Sequence, residues 1–171
     1  MITQFSNHIF RDTDREVFVV TVPKDKLSAV LMGSCPYEEA ADMLVCYVPL
    51  TLDGVQFIYR LGETDIVKTM PAYSKHPFLI EGRYSPMEHQ RKTAAFMTLF
   101  PRCYVLSDCR LGKTGSAIMA IDCLQAYKAV SGAALIITTL TTVNSVWVPS
   151  IQSSCPTKKV ISLHGKKDIG T

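Results

Sequence analysis

No CxxC pair occurs in this sequence, and none of its six cysteines has a histidine at metal-ligand spacing. That pattern argues against zinc and leaves Cys35, Cys46, Cys103, Cys109, Cys123 and Cys155 as reduced core or surface thiols. No secretory signal follows Met1, so the reading is a cytoplasmic protein. Acidic residues are scarce after Lys113: Asp122 and Asp168 stand against Lys128, Lys158, Lys159, Lys166 and Lys167. The basic end is either a solvated face or a patch for polyanions. The whole chain, with 18 basic and 15 acidic residues, has a net charge of only +3, which is weak support for nucleic acid. Charge is missing altogether from Ala129 to Thr157. Gly132, Asn144, Pro149 and many Thr and Ser make that stretch a buried strand plus a loop, and no membrane span is expected.

What is present divides into two textures. Residues 1–80 hold short β-rich runs, VFVVTV (17–22), LVCYVPL (44–50) and VQFIYRL (55–61). The turn-like LDG at 52–54 predicts a hairpin over 44–61, and YEEAADML (37–44) reads as helical. Pro71, Pro77 and Gly82 mark a linker. This part reads as a small α+β domain packed on the C-terminal half, or else an accessory domain for DNA or protein.

Residues 81–171 have a different pattern. Ser85, Pro86 and Glu88 predict a capped helix start for SPMEHQRKTAAFMTLF. CYVL (103–106) predicts a strand, KTGSAIMAIDCLQAYKA (113–129) an amphipathic helix that Gly132 ends, and ALIITT (134–139) a buried parallel strand. TTVNSVWVPSI is part loop and part helix, and KKVISL (158–163) a further strand. Alternation of helix and strand predicts an α/β doubly wound domain with a parallel sheet.

Between the first strand and its helix lies SDCRLGKT (107–114). A GK[ST] arises by chance in roughly one chain in ten of this length. Its position between strand and helix is what raises it to a phosphate-binding loop, although Ser107 stands where the opening glycine belongs. In such a loop backbone N–H groups and the helix N-terminus hold phosphate. Lys113 reaches the β/γ-phosphates, the Thr114 hydroxyl ligates Mg²⁺ and Gly112 permits close approach.

The stretch resembles motif I of the Snf-type DNA translocases of helicase superfamily 2, usually DEMGLGKT. It keeps an acid at Asp108 and the LGKT ending, and its Arg110, where the family usually has glycine, is similar to a phage-type branch with RLGKT. His89-Gln90, with Gln90 placed 23 residues before Lys113, resembles the family's adenine-reading pair. LIITTLTTVNSVWVPSI (135–151) resembles motif Ia, with Leu140, Thr141 and Trp147 in place and Thr139 for the usual proline. VISLHGKKD (160–168) is similar to the segment after it. The resemblance implies the first part of a RecA-like P-loop domain over 81–171, with ATP and Mg²⁺ as cofactors and DNA as a partner in the full-length context. It assigns phosphate and Mg²⁺ contacts to Asp108, Arg110, Gly112, Lys113 and Thr114, adenine to His89 and Gln90, and DNA contacts to Thr141, Thr142, Lys166 and Lys167. A phage origin would make the location the host cytoplasm. Polar positions on an exposed helix or loop would look the same as Gln90, Thr141 and Thr142.

The family's DEAH acids and second lobe are missing, so efficient hydrolysis is not expected from this chain and no complete catalytic set is assigned. An unfinished parallel sheet would leave an apolar edge for a protein partner or self-association. A stand-alone, helicase-derived phage protein acting as inhibitor or adaptor is therefore the second reading. A small P-loop kinase is disfavoured, since no Arg follows the loop.

Overall fold

A computed structural model of the chain describes residues 2–6, 8–100 and 102–163. Strict alternation of apolar residues decides the first half. In β3 (Val17–Pro23) the side chains of Phe18, Val20 and Val22 are buried, and in β5 (Met43–Pro49) those of Leu44, Cys46 and Val48. The register sets Phe18 opposite Val48, Val20 opposite Cys46 and Val22 opposite Leu44, so one face of this central strand pair is apolar. With β1 (Ile2–Ser6), β2 (Ile9–Asp12) and β4 (Tyr37–Ala40), these form a five-stranded sheet of order β1-β2-β3-β5-β4. Every pairing in it is antiparallel.

Two expectations in this half are overturned. YEEAADML is not helical: Tyr37–Ala40 is an edge strand, and the chain reverses through Ala41, whose φ of 50° is left-handed. The 44–61 hairpin is absent, because LDG begins a helix instead of making a turn. The Thr51 side chain accepts from Gly54 N at 3.1 Å and caps α2 (Leu52–Arg60). Gly54, Val55 and Ile58 then share one buried face at helical spacing. VQFIYRL is β-rich in composition, but its buried positions have the period of a helix.

The parallel sheet of a RecA-like lobe is likewise corrected: the protein is an α/β fold whose sheet is antiparallel and lies in the first half. Residues 103–106, 134–139 and 158–163 form no strand, and among the described residues none of 103–106, 134–138 or 159–163 enters a backbone–backbone hydrogen bond. Burial still alternates over 103–106, 135–139 and 158–163, as a strand's does. A parallel ladder needs a neighbouring strand about 4.8 Å away whose N–H and C=O groups pair with its own, and among the described residues these segments form no such pairing.

The helices of the second half pack on the sheet's helical layer. That layer includes α1 (Leu27–Met32) and α3 (Pro71–Ser74). α4 (Glu88–Leu99) starts two residues later than a Ser85/Glu88 box would place its cap region: Met87 N donates to Gln90 Oε1 at 2.9 Å. α4 buries Ala94, Ala95 and Leu99, and α5 (Lys113–Ala126) buries Ser116, Ile118, Met119, Ala120 and Cys123. One apolar cluster runs continuously from Ile9 to Cys155. Gln56 of α2 donates to the last carbonyl of α4, Leu99 O, at 2.8 Å. Asp65 accepts from Lys92 of α4 and from Lys68, and these bonds hold its carboxyl below the usual carboxylate range. Downstream, α6 (Leu140–Thr142) runs through a π-turn at Val143–Trp147 into α7 (Val148–Ser154). Pro149 has no N–H for an ordinary helical bond, and the widened turn precedes it.

A Cβ on Gly54 would overlap the Pro49 carbonyl oxygen and come within 3.0 Å of Val48 Cγ1. Gly54→Ala should destabilise the fold by about 1–3 kcal/mol through this overpacking. Urea denaturation should show a lower midpoint at unchanged slope.

Candidate functional site

α5 is the element around which the candidate groups collect. Its N-cap is Gly112, with φ 77° and ψ 29°, a left-handed conformation natural to glycine. A side chain there would overlap the Gln90 amide nitrogen, so the position is closed to larger residues on two counts. Arg110 also has a left-handed φ, 66°. The residue that departs from the Snf-type pattern keeps the backbone shape that glycine would give, at a strain of about 1–2 kcal/mol.

The loop is drawn together by its own lysine. Lys113 Nζ donates to Ser107 O at 2.8 Å and to Asp108 O at 2.7 Å. The Thr114 side chain, one residue on, is half-buried in the first turn. From α4, His89 Nε2 stands 3.3 Å and Gln90 Nε2 3.5 Å from Leu111 O. Thus His89, Gln90, Gly112 and Lys113, distant in sequence, meet at one end of α5. Asp108 and Arg110 are exposed at its rim. An exposed cluster with a helix N-terminus, two left-handed residues and an ammonium can hold an anion.

Among the described residues, Thr141 and Thr142 do not join this cluster by any hydrogen bond. Thr142 Oγ1 is engaged locally, donating to Thr139 O at 2.9 Å and lying 2.7 Å from Thr138 Oγ1. Thr141 is exposed, its hydroxyl 3.4 Å from that of Thr139. Lys166 and Lys167 lie outside the described residues.

A second cluster has no signature in the sequence. His76, 7% exposed, lies beneath the middle of α5, with Nε2 2.9 Å from Asp122 Oδ2. Lys158 Nζ is 3.3 Å from Asp122 Oδ1 and donates to Gln125 Oε1 at 2.9 Å. Burial, reinforced by the Asp122 charge, pushes the Cys123 and Cys155 thiols up to about 11. These partners lie 46 and 36 positions from Asp122, and no local pattern announces them.

No protein-family model, curated protein or solved structure matches the chain. Among the described residues, no helix is long and apolar enough to cross a membrane, and no group of three or more His, Cys, Asp or Glu is placed to hold a metal ion.

Asp122→Ala leaves a buried histidine without its acceptor and should lower stability by about 1–3 kcal/mol, read as a drop in melting temperature. Iodoacetamide at pH 8 should alkylate the exposed Cys109 well before the buried Cys123 and Cys155, which are almost wholly protonated there. Peptide mass mapping gives the order.

Proposed function

We propose that residues 107–114 with His89 and Gln90 bind ATP with Mg²⁺, and that the chain is the ATP-binding segment of a Snf-type superfamily 2 DNA translocase of the phage-type branch. The observation that carries this reading is the meeting of His89 and Gln90 with Leu111 and Gly112 across more than twenty residues of sequence. The motif resemblance requires an adenine-side residue and a phosphate-side loop to be neighbours, and here they are.

The side chains fit such a ligand. Gly112 gives the loop its left-handed turn, and Lys113 brings a charge to it. Thr114 offers a hydroxyl in the first turn of α5. Lys113 would hold the β/γ-phosphates, Thr114 the magnesium ion, and Gln90 with His89 the base. Bound ATP would supply a transferable phosphoryl group. Hydrolysis is another matter. The sole described carboxylate after the loop is Asp122, which His76 and Lys158 already engage. An arginine finger alone is worth ~10³–10⁵ in rate. The expectation is binding without efficient turnover, with Thr141, Thr142, Lys166 and Lys167 contacting DNA phosphates in the full-length context.

The second reading, a helicase-derived phage protein that acts by contact as inhibitor or adaptor, is favoured by a different observation. Tyr104, Leu106, Leu135 and Ile137 are 74–94% exposed, more apolar surface than a chain acting alone has reason to show.

Titration of a fluorescent ATP analogue with Mg²⁺ decides between them. Saturable binding weakened at least about tenfold by Lys113→Ala, together with protection of Cys109 from alkylation, is the expected result. Equal binding by both proteins, or none by either, would sink the nucleotide reading and leave the contact reading.

A further inference from the structure

A groove of about 470 Å³ opens beside α5. Ile118 and Ile121 of α5 and Ile151 of α7 line it, and residues 132–136 and 158–161 form its walls. We infer that this groove is a docking site for a polypeptide strand that is apolar on both faces and carries a carboxylate near Lys159. The inference is independent of the nucleotide reading and uses none of its residues.

The backbone argues for a strand. Both walls alternate in burial: Ile136 and Thr138 are half-buried where Leu135 and Ile137 are exposed, and Val160 and Ser162 half-buried where Ile161 and Leu163 are exposed. Yet residues 133–138 and 159–163 make no backbone–backbone hydrogen bond among the described residues. Two strand-like walls with free N–H and C=O groups flank an apolar gap, and an inserted strand satisfies both at once. A small apolar molecule would fill the volume and leave these groups to water.

The side chains set its chemistry. Leu135, Ile137, Ile161 and Leu163 are 53–87% exposed, and three of them, Leu135, Ile161 and Leu163, line the groove, so the occupant needs apolar residues beyond those facing α5. At the rim, Asp122 is the sole carboxylate, and it is taken by His76 and Lys158. Lys159 is exposed and enters no ion pair among the described residues. An acidic residue on the occupant meets a free cation there, which gives the strand a direction. A second copy is a poor fit. Residues 123–163 contain no Asp or Glu, and edge strand β4, which has Glu38 and Glu39, is apolar on neither face in full.

Fluorescence anisotropy of the full chain with short labelled peptides tests this. The probes are an apolar peptide ending in two acids (IVVLIVDE), its lysine-ended counterpart (IVVLIVKK), and a form whose third and fifth residues are prolines without an N–H to donate (IVPLPVDE). The acidic peptide should saturate the protein and bind at least about tenfold better than either control. Lys159→Glu, a change on an exposed side chain, should reverse the preference between the first two. Equal binding of all three, or none of the acidic peptide, would overturn the proposal. So would sedimentation showing a dimer of the chain that excludes the peptide, which would assign the groove to a second copy.

Discussion

The carboxylate of Asp122 joins three stretches of chain at one point. His76 approaches one oxygen from before α4, and Lys158 approaches the other from after α7. Because His76 is buried, its ring depends on that acceptor, and a ring left without it would bear the desolvation penalty alone. α5 carries this carboxylate in its middle, the loop at its beginning and one side of the groove along its length. Small residues press α5 against its neighbours: Ala94 and Ala95 of α4 are wholly buried, and a Cβ on Gly115 would stand 3.2 Å from the Ile80 side chain. Fixing α5 therefore fixes both candidate sites.

Local chemistry makes some of this legible and withholds the rest. VFVVTV and LVCYVPL alternate strictly, and the period of a half-buried strand is written in the residues themselves. The helix after GKT is equally plain, although it ends at Ala126 instead of running to 129. VQFIYRL misleads because β-branched and aromatic content outweighs the spacing of Val55 and Ile58. The three runs expected to form a parallel sheet have strand-like composition and strand-like alternation, but pairing is a property of neighbours and not of a single run. For the site, the loop and the His89-Gln90 pair are legible as motifs. Asp122 is visible only as a carboxylate on a helix, since its partners come from distant sequence.

Arg110 shows how a motif can keep its shape while losing its letter. Glycine is the usual residue there in the resembling family, and the obvious inference is a changed loop. The backbone instead stays left-handed at both Arg110 and Gly112. The loop's geometry thus depends on φ at two positions, and at the second a Cβ would also meet the Gln90 side chain.

The bonds of Lys113 make the loop a latch. Its ammonium is tied to two carbonyls within the same turn, so it acts as an intramolecular competitor for any anion that approaches. Tethered groups compete at effective concentrations that reach the millimolar range. An incoming anion meets the competent loop only in the fraction of molecules whose latch is open, and its apparent affinity falls by that fraction. Once the latch opens, the Ser107 and Asp108 carbonyls lose their donor and need another. Water, or a cation carried in with the anion, can take that place.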